Sequence, residues 1–391
     1  MKKKFKIYLK NFDYPLFVTY TLLCLFGLVM IYSASMVWAV KRWDYSADFY
    51  YNKQVLNLIL AFVAFFVVSI IPYQLFKVKK IYGAILAVTF LLLFAVKQFG
   101  FSPGGSGAVS WINLGVMNVQ PSEIAKLAFI LYFAAIFKKK EEKKLLNSFS
   151  QGYLPPMILL FAALILIYLE PDLGSALLLF AVALSVVISS GIRFRTFSYF
   201  AVPLMIAFSM LLFFVIKFPS MFFSGKRVGR ISAFLNPFSD EKQYGYQVAN
   251  GYYAIGSGGL QGLGLGQSIQ KLGYLPEPQT DFILAIISEE LGLFGVIVVL
   301  GGLFFLIARI LLIAIRTTDS MARMICTGVA AWIGFQTFVN VGGLAGLIPL
   351  TGVPLPFISY GGTSVLLLSM ALGVVANIST HVKITHSKRK S

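Results

Sequence analysis

Histidine, cysteine and acidic residues are all scarce in this 391-residue chain, which has two His, two Cys and fifteen Asp and Glu. Both histidines, His381 and His386, lie in the C-terminal tail. A Ser–His triad or a histidine-ligated metal in the loops at the other end of the chain's long apolar runs is therefore excluded, and carboxylates remain the candidates for acid–base work there. The cysteines, Cys24 and Cys326, each fall inside an apolar run, so they give neither a disulfide framework nor a metal-ligand spacing. Charged residues make up 12% of the chain, against roughly 25% in a globular protein. That shortage excludes a soluble multi-domain protein.

Apolar residues fill the gap. They form 58% of the sequence, with a mean hydropathy of +0.82. A membrane span needs about 20 apolar residues. Runs of that kind lie near 14–35, 53–72, 81–98, 121–138, 154–169, 172–190, 197–217, 292–315, 324–347 and 361–380. The expected fold is an all-α polytopic membrane protein with ten transmembrane helices, residues 1–391 forming one integral membrane domain. The opening "MKKKFKIYLK" resembles the basic part of a signal peptide with "YSAS" (32–35) as a cleavage site. Its apolar stretch exceeds the usual 7–15 residues, which favours an uncleaved first helix.

The net charge of +18 does not point to nucleic acid, because its distribution follows the membrane. Of the 33 Lys and Arg, 22 fall at the two termini and in alternate gaps between spans, ten fall on the opposite side, and Lys126 lies within a span. Positive charge stays cytoplasmic, so both termini are expected inside. The longest non-spanning segment, 217–280, then lies outside between spans seven and eight. Two further outer loops are 99–120, with Trp111 as an interface anchor, and the uncharged "PLTGVPLPFISYG" (349–361). Three structured loops on one face place the working site there.

Four of the fifteen carboxylates fall in "LPEPQTDFILAIISEELG" (275–292): Glu277, Asp281, Glu289 and Glu290. Thr280 or Asp281 at a helix start is suited to N-capping; equally, a partly desolvated carboxylate at a membrane boundary is suited to act as a general base. If the helix begins at 281, Glu289 and Glu290 point to different faces, so at least one is structural and paired. Glu123 and Lys126, one turn apart in "QPSEIAK", are spaced for an intramembrane ion pair. Turn chemistry accounts for Pro171, Asp172 and Gly174 in "EPDLGS" without a ligand. "AIGSGGLQGLGLGQS" (254–268) has no βαβ context, so nucleotide binding is rejected. Its glycines suit close turns or backbone approach to a substrate. Lys226, Arg227 and Arg230 form a basic cluster that suits either lipid headgroups or a pyrophosphate on a lipid-linked substrate. No internal repeat is evident.

With "QPSEIAK" (120–126), "EPDLGSA" (170–176), the glycine run, "LPEPQTDFI" (275–283) and "GLIPLTGVPLPFISYGG" (346–362) in order along nearly the whole chain, the sequence resembles the SEDS family of bacterial cell-wall polymerases, the FtsW, RodA and SpoVE group. "YSAS" and "FLNPFSD" (234–240) lean toward the FtsW branch, with an elongation or sporulation role as the alternative within the family. The resemblance implies ten helices and polymerisation of lipid II, the undecaprenyl-pyrophosphate disaccharide pentapeptide, at the outer face of the cell membrane and at the septum. It implies a class B penicillin-binding protein and other divisome proteins as partners. Asp281, the aspartate of the "PExxTDF" motif, is then the essential general base. Glu277, Arg230 and Lys271 join Lys226 and Arg227 as substrate-binding candidates, and Gln120, Ser122, Glu123 and Lys126 shape the cavity. This chain departs from the family in Gln279 where His is common, in Ser110 where Arg is common, and in Glu170 where Gln is common. No cofactor or metal-ligand set is identifiable, although a divalent cation that helps the pyrophosphate leave is compatible with the chemistry. A lipid II flippase and a non-catalytic scaffold for a transpeptidase are the alternatives. The flippase fits less well because no repeat halves are evident.

Overall fold

The computed structural model describes residues 2–102, 109–113, 115, 117–193, 195–199, 234–240 and 245–390. A backbone in lipid must satisfy its N–H and C=O groups within the chain, so the long apolar runs become helices. After a short α1 (Lys2–Asn11) come α2 (Tyr14–Trp43), α3 (Phe49–Ile70) and α4 (Lys79–Phe99). A two-stranded antiparallel hairpin, β1 (Ile112–Asn113) and β2 (Asn118–Val119), sets Ile112 opposite Val119. It leads into α5 (Pro121–Glu142), α6 (Leu154–Leu169) and α7 (Leu173–Ser189). The chain continues through α8 (Tyr246–Gly258), α9 (Ile283–Arg316), α10 (Ser320–Leu344) and α11 (Gly362–Lys390).

Nine of the ten expected spans coincide with helices, and the tenth, 197–217, lies beyond residue 199 outside the described residues. Seven described helices are long and apolar enough to cross a membrane. The 17-residue α7 is a shorter apolar helix, and α5 carries Glu123, Lys126 and a charged tail. A polytopic all-α membrane protein is the architecture. The segment expected as a loop at 217–280 contains the 13-residue helix α8.

Two helices form the centre. From Pro121 to Ala135 only Ile124 of α5 is not buried, and α11 is buried on almost every face from Thr363 to Thr380. Small residues permit the closest approaches, as expected where lipid offers no hydrophobic drive between helices. A Cβ on Gly373 would stand 2.7 Å from the carbonyl oxygen of Phe65. At the end of the bundle that carries both termini, Asp13 caps α2 through Leu16 N–H and pairs with Arg309 at 3.1 Å and Lys383 at 3.5 Å. Burial alone would raise the Asp13 carboxyl, but hydrogen bonds from Arg309 and Ser379 and the nearby cations outweigh it and hold the group below its ordinary range.

Helix α9 starts nine residues earlier than its apolar run suggests, and it is broken at Gly292 (φ 63°, ψ −159°). The glycine-rich segment fills the break. Leu263 and Gly264 donate their N–H groups to the carbonyls of Glu289 and Glu290, each at 2.9 Å, and Leu293 donates to Gly259 at 3.1 Å. A Cβ on Gly262 or on Gly292 would lie 2.4 Å from a backbone oxygen across this crossing. The glycines therefore serve a backbone-to-backbone approach. Gly262→Ala and Gly292→Ala should each lower the thermal unfolding midpoint sharply, since positive φ alone costs about 1–3 kcal/mol and the clash adds to it. Gly266→Ala is the control: its φ is +81° but nothing lies within 4 Å, so its loss should be smaller.

Candidate active site

Asp281 lies in the turn before α9 and is half-buried. The N-cap of α9 is Phe282, with no side-chain capping bond, so the capping reading of Thr280 and Asp281 does not hold. Because the helix starts at 283, the helical offsets expected from 281 do not apply either. Thr280 instead ties the turn together, donating to the Glu277 carbonyl at 2.7 Å and to Asp281 Oδ1 at 3.1 Å. Asn340 of α10 holds the turn from the other side, donating to the Asp281 carbonyl at 2.8 Å and to the Val353 carbonyl at 2.9 Å. That bond brings in the loop 345–361. A Cβ on Gly352 would come to 4.0 Å from Asp281 Oδ2, so side-chain-free backbone faces the carboxylate.

Glu277 and Gln279 complete the turn. Burial first, then the charge of Asp281, raises the Glu277 carboxyl above its ordinary range. Gln279 is buried, and its carbonyl accepts from Tyr360 N–H at 2.9 Å. Burial pushes the Tyr360 hydroxyl up to about 12.

The expected Glu123–Lys126 pair forms at 2.5 Å, with Lys126 fully buried. Lys126 Nζ stands 5.1 Å from the centroid of Trp332. Trp332 Nε1 donates to Gln336 at 2.8 Å, and Gln336 donates to the Pro354 carbonyl at 2.9 Å. The ion pair thus supports the loop that faces Asp281. Ser122 Oγ and Glu123 Oε2 are buried and have no hydrogen-bond partner among the described residues. Gln120 reaches Asp172 at 2.9 Å, and Asp172 caps α7 through Ser175 N–H at 2.9 Å. Trp111 is partly buried in a bridge with Phe101.

Glu170 is buried, and among the described residues neither of its oxygens finds a hydrogen-bond partner. Burial, with the charge of Asp172 second, pushes its carboxyl up to about 8. Its folded pKa lies above its unfolded value, so the folded state holds this proton more tightly. The resulting stability is complete at acid pH and is lost as pH rises through about 8. Glu170→Gln should therefore raise the unfolding midpoint relative to wild type at about pH 9 and leave the two close at about pH 5; thermal unfolding at both values checks it.

Lys271, expected to bind substrate, is withdrawn from the site. It is 1% exposed and pairs at 2.6 Å with Glu290, which is fully buried, and Ser33 bonds to both. Glu289 accepts the Ser268 hydroxyl and the Ile269 and Gln270 amides. Both glutamates are structural and fasten the glycine-rich segment to α9. Lys226, Arg227 and Arg230 lie outside the described residues. Among the described residues no group of three or more His, Cys, Asp or Glu is placed to hold a metal ion.

Sequence reasoning missed Asn340 and Gln336. Two amides one helical turn apart inside an apolar span were the available signal, since polar groups at membrane depth serve a partner or a site.

A family model described as "Cell cycle protein", covering FtsW, RodA and SpoVE, matches residues 14–384. The probable peptidoglycan glycosyltransferase FtsW of Bacillus subtilis is 40% identical over 382 residues, 98% of this chain and 94% of that protein. Stage V sporulation protein E of the same organism is 37% identical, covering 94% of this chain and 97% of that one. Among solved structures, a chain from a peptidoglycan synthase complex that coordinates polymerization and crosslinking superposes with a TM-score of 0.75 at 24% identity, covering 95% and 98% of the two chains. The rod shape determining protein RodA of Thermus thermophilus gives 0.63 at 23%, covering 94% and 96%. At these identities the two structures show a shared fold.

Proposed function

The chain belongs to the FtsW, RodA and SpoVE family of cell cycle proteins, and from that premise we propose that it is a peptidoglycan glycosyltransferase of the FtsW type, polymerising lipid II at the outer face of the cell membrane. The observation that carries this reading is the placement of Asp281: off the helix, held by Thr280 and Asn340, and opposite the glycine backbone of loop 345–361. In the reaction the Asp281 carboxylate takes the proton of the acceptor sugar hydroxyl. The hydroxyl oxygen forms the new bond to the anomeric carbon of the donor, and the bond from that carbon to the pyrophosphate oxygen breaks. The lipid pyrophosphate leaves with the electron pair, and the donor configuration inverts. General-base help of this kind contributes about 10²–10⁴-fold.

Glu277, four residues before Asp281, is assigned to the sugar hydroxyls. Arg230, Lys226 and Arg227 are assigned to the pyrophosphate, whose charge they match. Lys271, which is buried and paired, is assigned no substrate contact. The charge asymmetry supports ten spans with both termini cytoplasmic, which puts Asp281 and loop 345–361 outside. A class B penicillin-binding protein and the division septum are the partner and place this reading entails. Supplying labelled lipid II to the purified chain, alone and with such a transpeptidase, tests it. Glycan strands with no other polymerase present support the enzyme. Transbilayer movement of lipid II without polymer would replace this reading with a flippase.

A further inference from the structure

Between α8 and the turn of the site the chain carries leucines that the fold leaves uncovered. Leu260, Leu263 and Leu265 of the glycine-rich segment are 73%, 42% and 55% exposed, and Ile269, Leu272 and Tyr274 are exposed after them. Charge is missing from the same stretch. From 245 to 276 the only Asp, Glu, Lys, Arg or His is Lys271, which is buried against Glu290. Apolar surface of this kind marks a contact face, and the fold shows what covers it.

Asp13 and Arg309 pair at the end of the bundle that carries both termini. Ionised groups are costly deep in a bilayer, so the pair lies near one boundary of the apolar layer. Helix rise puts Ser33 about 30 Å from Asp13 along α2, and Leu293 about 24 Å from Arg309 along α9. The hydrocarbon layer is about 30 Å thick, and helix tilt only shortens those heights. Ser33 bonds to Glu290 and Lys271, and Leu293 donates to the Gly259 carbonyl. The glycine-rich segment therefore meets α9 at the far edge of the apolar layer. Its leucines also continue a lipid-facing surface. Leu293, Phe294 and Ile297 are exposed on α9, a helix long and apolar enough to span, and the Leu260 carbonyl lies against Gly292.

Non-helical backbone at this depth must find partners for its amides within the chain. Gly262 donates to Gly258 at 2.8 Å, Leu263 and Gly264 donate to α9, and Gln267 and Leu272 donate to Gly264 and Ile269, each at 3.0 Å. Ile269 and Gln270 donate to Glu289, and Lys271 N–H donates to the Ser268 hydroxyl at 3.2 Å. In an exposed loop water would serve these amides equally well. A buried glutamate dedicated to them suits a segment that water does not reach.

We infer that residues 259–274 are inserted in the membrane, in the leaflet opposite the termini, with Leu260, Leu263 and Leu265 among the acyl chains. The insertion is independent of the chemistry at Asp281, so it stands apart from the glycosyltransferase reading. Site-directed spin labelling tests it on the full-length chain in vesicles of phosphatidylethanolamine and phosphatidylglycerol. Leu260→Cys, Leu263→Cys and Leu265→Cys each carry a nitroxide at an exposed position. Native Cys24 and Cys326 are buried, and labelled wild type gives the background. Phe294→Cys on α9 is the lipid reference, and Lys143→Cys, at the exposed C-cap of α5, is the aqueous one. Power saturation measures collisions with molecular oxygen, which concentrates in lipid, and with a water-soluble nickel chelate, which stays out of it. The oxygen-to-nickel ratio at the three leucine positions should exceed that at Lys143 severalfold and approach that at Phe294. A ratio equal to that at Lys143 would put the segment in water and overturn the insertion. Slow collision with both reagents would overturn it too, because that marks a cover of protein, such as a second copy of the chain.

Discussion

Asp281→Asn leaves the bundle folded and cuts glycan synthesis from lipid II by about 10²–10⁴-fold, the range that a positioned general base supplies. The expectation is specific because two bonds that fasten the turn do not use the carboxylate. They are the Thr280 hydroxyl on the Glu277 carbonyl and the Asn340 amide on the Asp281 backbone carbonyl, both of which asparagine leaves in place. The amide oxygen of asparagine can still accept from Thr280. Helix α9 loses no cap, because Phe282 occupies the N-cap position. What disappears is the basic oxygen facing Gly352. With glutamine at 279 no neighbouring imidazole can take over. Unfolding midpoints should therefore match within about 2–4 °C, the shift that 1 kcal/mol produces in a large domain. Polymer at wild-type length and rate from the folded variant would remove Asp281 from the mechanism.

What the sequence revealed and what it hid divide along one physical line. Features written in local spacing were legible. Long apolar runs placed nine helices, and the three-residue offset of Glu123 and Lys126 announced their pair. Features that depend on which distant segment meets which were not legible. The apolar run of α9 begins only at 292 because Glu289 and Glu290 interrupt its hydropathy. In the fold those carboxylates lie within the helix, satisfied by Lys271, Ser268 and loop amides contributed from about 20 residues upstream. Gln120 and Asp172, 52 residues apart, meet across the bundle for the same reason. Asp281 is a mixed case: the motif identified it as the carboxylate of interest, but only the fold decided between capping and presentation to loop 345–361.

Lys271 gives the second large effect, and here a structural role and a substrate-binding role predict opposite results. A lysine that contacts lipid pyrophosphate could be replaced with little loss of stability and a raised KM. In this fold Lys271 Nζ bonds to Glu290 at 2.6 Å and to Ser33 at 3.0 Å, with both charges out of reach of water. Lys271→Met leaves the Glu290 carboxylate buried with, among the described residues, only the Ser33 hydroxyl and the long Ser268 amide contact at 3.4 Å. Breaking a buried pair from one side costs about 3–5 kcal/mol, so the unfolding midpoint should drop steeply. Lys271→Met/Glu290→Gln removes both charges and should recover most of that loss. A buried pair adds little over neutral groups that fill the same space, and residues in direct contact are not additive. Activity should follow the fold, because this pair and the Glu289 bonds fasten the glycine-rich segment to the first turns of α9, which begin two residues after Asp281. The double variant should therefore polymerise lipid II per folded molecule far better than Lys271→Met. If Lys271→Met instead stays as stable as wild type and fails only at low lipid II concentration, the lysine reaches substrate and the buried pair is not its working state.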